Sequence, residues 1–302
     1  MIYKLKKNNV VYNKEKVSSR WERSRRLWYK FSRNLLSILG LIAILVIVFA
    51  AIFAPYLSTH KESAGNYINF NIANQPPSFI HLCGTDIFGR DVFSRVLFGI
   101  RLSLIMGVVV LSLAAPFGVF IGLVAGYSRG KWISSVLMRI VDIFVAIPSL
   151  MLALVVCSHL TPGVFNAMMA ISVAWWAWYA RMVYSLVSSV RGESYVRVVE
   201  LSGGSTLHIL FKEILPNCLS SIFTKVSLDM GGVILIGASI SFVGLGAQPP
   251  TPDLGTMVAS GSKYLLNQWW VTIFPAITIV LIVLAFNLLG DGIRDMLGSE
   301  EG

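Results

Sequence analysis

The chain has 302 residues, 55% of them hydrophobic and 13% charged, with a mean hydropathy of +0.71. That composition excludes an ordinary soluble domain and suits one polytopic membrane domain of several helices. The net charge of +10 does not argue for nucleic-acid binding, because residues 1–34 hold eleven Lys and Arg against Glu15 and Glu22, leaving the rest nearly neutral.

The basic tail at 1–34 comes first. Its stretch RWERSRRLWYKF sets Trp21, Trp28 and Phe31 among Arg and Lys, the pattern of a short helix lying on a membrane surface. A basic flank beside the first apolar run places that flank inside the cell. The run itself, 35–57, sits too far from the start and is too long for a removable leader.

A helix crosses the bilayer in about 20 apolar residues, and six runs qualify: 35–57, 102–126, 133–157, 163–186, 219–246 and 271–290. Lipid offers no partner for free backbone groups and no alternating strand pattern occurs, so all six are expected to be α-helices. With the tail inside, the loop at 127–132 (Arg129, Lys131), the segment at 187–218 (Arg191, Arg197, Lys212) and the C-terminus at 291–302 (Arg294) also fall inside. Outside lie 58–101, 158–162 and 247–270. The expected fold is an all-α polytopic membrane protein with six transmembrane helices, both termini cytoplasmic, and a core over 102–290.

Within the runs, Gly118, Gly122 and Gly126 make a GxxxGxxxG pattern, which lets helices approach closely. Pro116 and Pro148 interrupt the second and third runs. Charges inside spans are costly and therefore informative. Arg139 and Asp142, three apart, can meet on one helix face. Lys225 and Asp229, four apart near the inner end of the fifth run, form a structural link or line a path. Trp269-Trp270 reads as an interfacial anchor.

Chemistry-bearing motifs are missing. AGYSRGKW is a near miss for a phosphate loop, with Ala125 where the first glycine belongs and Trp132 where Ser or Thr belongs. His60, His81, His159 and His208 are scattered, and Cys83, Cys157 and Cys218 imply no disulfide framework. Neither a catalytic site, a cofactor site nor a metal site is expected in the chain, so its energy source lies elsewhere.

The segment 191–217 contains RVVELSGGSTLHILFKEILPN. Tyr195, Val198 and Val199 share a helical face, as do Leu207, Leu210, Phe211 and Ile214. Gly203-Gly204 stops the first helix, Ser205 caps the second and Pro216 ends it. This predicts a helical hairpin too short to cross. Its apolar stripe can fold back onto the spans, lie in the interface, or enter a groove on a soluble partner.

This segment resembles the cytoplasmic loop motif of ABC importer permeases. Arg197, Val198 and Val199 stand at the Glu-Ala-Ala positions, Gly203 is the glycine, and Leu215-Pro216 close the motif. GTDIFGRDVFSRVLFGIRLSL (84–104), MRIVDIFVAIPSL (138–150), SFVGLGAQPPTPDLGTM (241–257) and FNLLGDGIRDML (286–297) resemble the peptide/nickel branch, in its second permease type. The likeness spans about 30–297; Gly237 departs from it, standing where many members carry an acidic residue.

The resemblance implies a non-enzymatic permease of a type I importer in a bacterial-type cytoplasmic membrane. Its partners would be a second homologous permease in a heterodimer, two ABC ATPases that bind ATP and Mg, and an extracytoplasmic substrate-binding protein. Residues 193–217 would be the coupling helix, with Leu207, Leu210, Phe211 and Leu215 as groove anchors. Substrates would be peptides, nickel or metal chelates. An ion-coupled secondary transporter is the alternative, and a receptor or scaffold is a third class.

Overall fold

The computed structural model describes residues 31–298 together with Arg25, Trp28 and Tyr29. The remaining tail, including Trp21 of the expected surface helix, lies outside the described residues. Trp28 stacks on Phe31 with ring centroids 5.8 Å apart, and Phe31 is buried. The described residues are helical apart from loops and one isolated bridge between Thr85 and Asp91.

The helices are α1 (Leu35–Ile52), α2 (Val92–Tyr127), α3 (Trp132–Ala146), α4 (Ser149–Ser158), α5 (Val164–Val190), α6 (Ser194–Leu201), α7 (Thr206–Phe242), α8 (Leu254–Ser262) and α9 (Trp269–Gly298). By length and apolarity, α1, α2, α7 and α9 can each cross a membrane, and α3 with α4 makes up to a fifth span. At 27 residues α5 is also long enough, but Trp175, Trp176, Trp178 and Tyr179 make it less apolar.

The third apolar run is not one straight helix. The chain turns by 89° between α3 and α4. Proline disfavours helical backbone in the preceding residue, and Ile147 is extended (φ −92°, ψ 129°) before Pro148. Pro116 and Pro275, by contrast, sit inside continuous helices.

Contacts at the helix ends set which ends lie together. The end of α1 meets the start of α2, where the His60 amide donates to Ser94 Oγ at 3.1 Å. At the start of α9, Trp270 Nε1 donates to the Thr85 carbonyl at 3.1 Å. Arg95 reaches the Pro250 carbonyl, and the Gly163 amide donates to the Leu245 carbonyl. So 58–91, 158–163 and 245–270 gather at one end. At the opposite end Asn34 bonds Asp295 at 3.2 Å, and Tyr127 donates to Glu200 at 2.9 Å.

The GTDIFGRD stretch is structural. Thr85 donates to the Ile72 carbonyl and accepts from the Gln75 amide. Asp86 accepts from the Phe88 and Arg90 amides and pairs with Arg90 Nε at 2.7 Å. Gly89 has φ +73°, and Asp91 caps α2 by accepting from the Ser94 amide at 2.8 Å. Trp270 is therefore not an interfacial anchor: it is buried against Gly84 and Thr85, while Trp269 remains half exposed.

The glycine stripe of α2 lies against α5. A Cβ on Gly122 would sit 2.7 Å from the Ala180 carbonyl oxygen and 2.8 Å from Val183 Cβ. One on Gly126 would sit 2.7 Å from Val187 Cβ. Gly237, where an acidic residue was the family expectation, abuts Met106, whose Sδ would lie 2.1 Å from an added Cβ. Replacing Gly122 with Leu is expected to cost about 1–3 kcal/mol by overpacking, seen as a lower unfolding temperature of the solubilised protein. Gly65→Ala, whose nearest neighbour would be 3.8 Å away, should leave that temperature unchanged.

Candidate functional site

The hairpin is built as its sequence indicates, with one exception. After α6 the chain reverses at Gly203 (φ +81°), whose amide donates to the Glu200 carbonyl, while the Gly204 amide donates to that of Val199. Glycine adopts this left-handed backbone without the Cβ clash of other residues. Ser205 caps the next helix by accepting from the His208 amide at 3.3 Å.

The exception is Pro216, which does not end that helix. α7 runs unbroken from Thr206 to Phe242. Its turns over Ile209–Ile214 widen to π geometry immediately before the proline. In a regular helix the proline ring would strike the carbonyl four residues back and leave it without a donor. The wider turn removes that clash inside a continuous helix.

The apolar stripe divides in two. Val196, Ile209, Leu210 and Ile214 are buried with Leu123, Val183, Val187, Cys218 and Ile222, so one half folds back onto α2, α5 and α7. Leu215 and Val199 pack partly against the same cluster. Leu210 is therefore not a free anchor: it is 7% exposed and held by its own chain. The other half faces outward, with Val198 60%, Leu201 89%, Leu207 68% and Phe211 47% exposed. Arg197, Gly203 and Pro216 are exposed as well. Leu201 was missed in the sequence because it falls off both stripes, at the end of α6 beside the turn.

Polar ties fix the hairpin. Tyr127 donates to Glu200, and Arg191 donates to the Tyr127 carbonyl while its guanidinium lies 4.8 Å from the Tyr127 ring centre. Asn217 donates to Tyr195 Oη at 2.9 Å. Burial of the Tyr195 hydroxyl pushes its pKa above the usual phenol value.

Lys225 and Asp229 do meet, at 3.1 Å. Lys225 Nζ lies 3.1 Å from both Asp229 oxygens, Trp175 Nε1 of α5 donates to Asp229 Oδ2 at 3.0 Å, and Lys225 Nζ lies 5.4 Å from the Tyr179 ring centre. The pair faces α5. Its neighbours Val226, Ser227 and Met230 face a mostly apolar groove of about 730 Å³, also lined by Val48, Arg101 and Phe286. Asp142 pairs with Arg181 of α5, not with Arg139 one turn away on its own helix.

Two of the four histidines are not scattered. His60 and His81 lie with ring centroids 4.5 Å apart, beside Asp91. Their separation of 21 residues, across two short turns of helix and a loop, carries no periodic signal.

An all-helical bundle with several membrane-length helices, a short exposed hairpin at one end and an apolar groove between α1, α2, α7 and α9 defines a multi-pass membrane protein. The description "binding-protein-dependent transport system inner membrane component" matches residues 118–300, and "N-terminal TM domain of oligopeptide transport permease C" matches residues 20–77. The chain belongs to this family of binding-protein-dependent permeases, which are not themselves enzymes. It is 39% identical to a di/tripeptide transport system permease protein of Pseudomonas aeruginosa, over 91% of this chain and 92% of that one. It is 39% identical to a probable D,D-dipeptide transport system permease protein of Escherichia coli, over 88% of each chain. A glutathione transport system permease protein of Pectobacterium atrosepticum is 36% identical over 96% of this chain and 94% of its own length. Among solved structures, an inward-facing form of the MetNI methionine ABC transporter shares the fold at a TM-score of 0.56 and 20% identity, covering 68% of this chain and 97% of that one.

Breaking one partner of an enclosed ion pair leaves the other charge uncompensated, whereas replacing both can be nearly neutral. Lys225→Met and Asp229→Leu are each expected to lower the unfolding temperature, and the double variant to recover most of the loss. A coupling of about 1–3 kcal/mol in the double-mutant cycle is the measurement; strict additivity would show that the two charges do not stabilise the fold as a pair.

Proposed function

We propose that the chain is one of two membrane subunits of an ATP-driven importer of short peptides, and that its hairpin docks a partner ATPase. The observation that carries the reading is the division of the hairpin: half is buried in its own chain, and Val198, Leu201, Leu207 and Phe211 are left facing outward. Large exposed apolar side chains on a short polar hairpin suit a groove on a soluble partner. The names of the relatives support peptides as substrates; nickel and metal chelates have no such support.

In this reading the six spans are α1, α2, the bent pair α3–α4, α5, α7 and α9. The hairpin, the tail at 1–34 and the C-terminus face the cytoplasm, and 58–101 faces outward with the loops gathered beside it. The groove between α1, α2, α7 and α9 faces the second permease and the translocation path. Lys225 and Asp229 hold α5 to α7 beside that path. ATP and Mg are bound by the partner ATPases, and an extracytoplasmic binding protein delivers the peptide. ATPase closure moves the docked hairpins, and the spans reorient around the path.

An ion-coupled transporter would more typically place its titrating acid near the membrane midplane. Asp229 is instead paired with Lys225, and Asp142 with Arg181, so this second reading is not favoured.

The test is co-expression with the partner subunits and reconstitution in vesicles. Leu207→Asp combined with Leu201→Asp should abolish co-purification of the ATPases and ATP-dependent dipeptide uptake while the permease still folds. Gly203→Val places a β-branched residue at φ +81°, a strain of about 1–2 kcal/mol, and should uncouple ATP hydrolysis from uptake. Uptake that persists without any ATPase subunit would overturn the reading in favour of ion coupling.

A further inference from the structure

We propose that His60, His81 and Asp91 form a binding site for a divalent d-block cation such as Zn²⁺ or Co²⁺, clamping the segment after α1 to the start of α2. The donor atoms all lie within 4.8 Å of one another. His81 Nδ1 is 3.0 Å and His60 Nδ1 3.9 Å from the same Asp91 oxygen, Oδ1. Two ligands of a tetrahedral ion, each about 2.0–2.1 Å from the metal, sit roughly 3.3 Å apart, and the two histidine–carboxylate spacings lie on either side of that value.

The donors are held in advance by their surroundings. Asp91 has none of its surface exposed, and its second oxygen, Oδ2, accepts from the Ser94 amide at 2.8 Å and from Thr59 Oγ1 at 3.4 Å. Each donor residue has its own amide tied to a serine hydroxyl. His60 donates to Ser94, His81 to Ser78 and Asp91 to Ser63, at 3.0–3.1 Å. These bonds hold in place the backbone from which the three ligands project. His81 is buried, while the His60 side chain is 28% exposed and leaves one side open to solvent for a water ligand.

A simple hydrogen bond between His81 and Asp91 would account for His81 alone. The His60 ring lies tilted 32° at 4.5 Å from His81, its Nδ1 3.9 Å from Asp91 Oδ1 and 3.1 Å from Thr59 Oγ1, whose hydrogen bond the ion would replace. Two imidazoles and one carboxylate suit zinc, cobalt, nickel or copper; Mg²⁺ and Ca²⁺ favour oxygen-rich sites. The bound ion would tie together the chain after α1, the turn at 78–81 and the cap of α2.

The experiment uses the full chain with a histidine-free tag, in lipid nanodiscs, stripped with a chelator and titrated with Zn²⁺ and Co²⁺ against a Mg²⁺ control. One Zn²⁺ or Co²⁺ per chain is expected, and no Mg²⁺. His60→Ala should weaken binding by roughly tenfold or more with no change in metal-free unfolding temperature. His60→Cys should restore binding and add a thiolate-to-cobalt absorption that the wild type lacks. Absence of stoichiometric uptake by the wild type, wild-type affinity in His60→Ala, or no thiolate–cobalt band in His60→Cys would each overturn the site. Because the readout is binding by the isolated chain, failure here leaves the transport reading untouched, and loss of transport says nothing against the site.

Discussion

Close approach of α2 and α5 is the contact on which the rest of the molecule depends. Lipid tails are as apolar as leucine, so helices in a bilayer gain little from hydrophobic transfer and associate by packing. Gly118, Gly122 and Gly126 supply that packing by letting the α2 backbone sit directly against Trp176, Ala180 and Val183–Val187 of α5. At 36 residues α2 is about 54 Å long, longer than the bilayer core. Its two ends therefore project, and each becomes a platform. Asp91 and Ser94 at the start organise the segment 58–91, and Tyr127 at the end receives α6 through Glu200.

The hairpin separates side chains packed within the chain from side chains left exposed. Periodicity says only that an apolar stripe exists. Widening of α7 over Ile209–Ile214 decides which residues turn inward, because each π turn advances the side chains less than a regular turn would. Ile209, Leu210 and Ile214 reach the cluster shared with Val183, Val187 and Val196, while Leu207 and Phe211 do not. The same widening accommodates Pro216, so a device that avoids a backbone clash also sorts the stripe.

Local features were legible in the sequence and long-range ones were not. The all-helical class, the Gly203 reversal, the Ser205 cap, the glycine stripe and the Lys225–Asp229 pair depend on residues within about a turn of one another, where spacing fixes geometry. Asp142 shows the limit. Arg139 is within reach on its own helix, yet α5 presents Arg181, and the partner is chosen by packing that spacing does not encode. Trp270 likewise reads as an interfacial tryptophan until the fold places Thr85 beside its indole. His60 and His81 meet only because Ser63, Ser78 and Ser94 fold their loops onto the start of α2.

The two projecting ends of α2 are braced by different polar ties, and both leave apolar side chains exposed. At the 58–91 end, Asp86 and Asp91 engage amides, an arginine and histidine, and the polar groups are turned inward. At the hairpin end polar ties run through Tyr127, Glu200, Tyr195 and Asn217, and Leu201, Leu207 and Phe211 are left exposed. An exposed polar group is satisfied by water, but an exposed leucine is not. Both ends expose large apolar side chains, Phe70, Phe79 and Ile80 at the first and Leu201 and Leu207 at the second, so water favours covering both. An apolar surface on a braced hairpin is the physical form that the proposed docking onto another subunit would take.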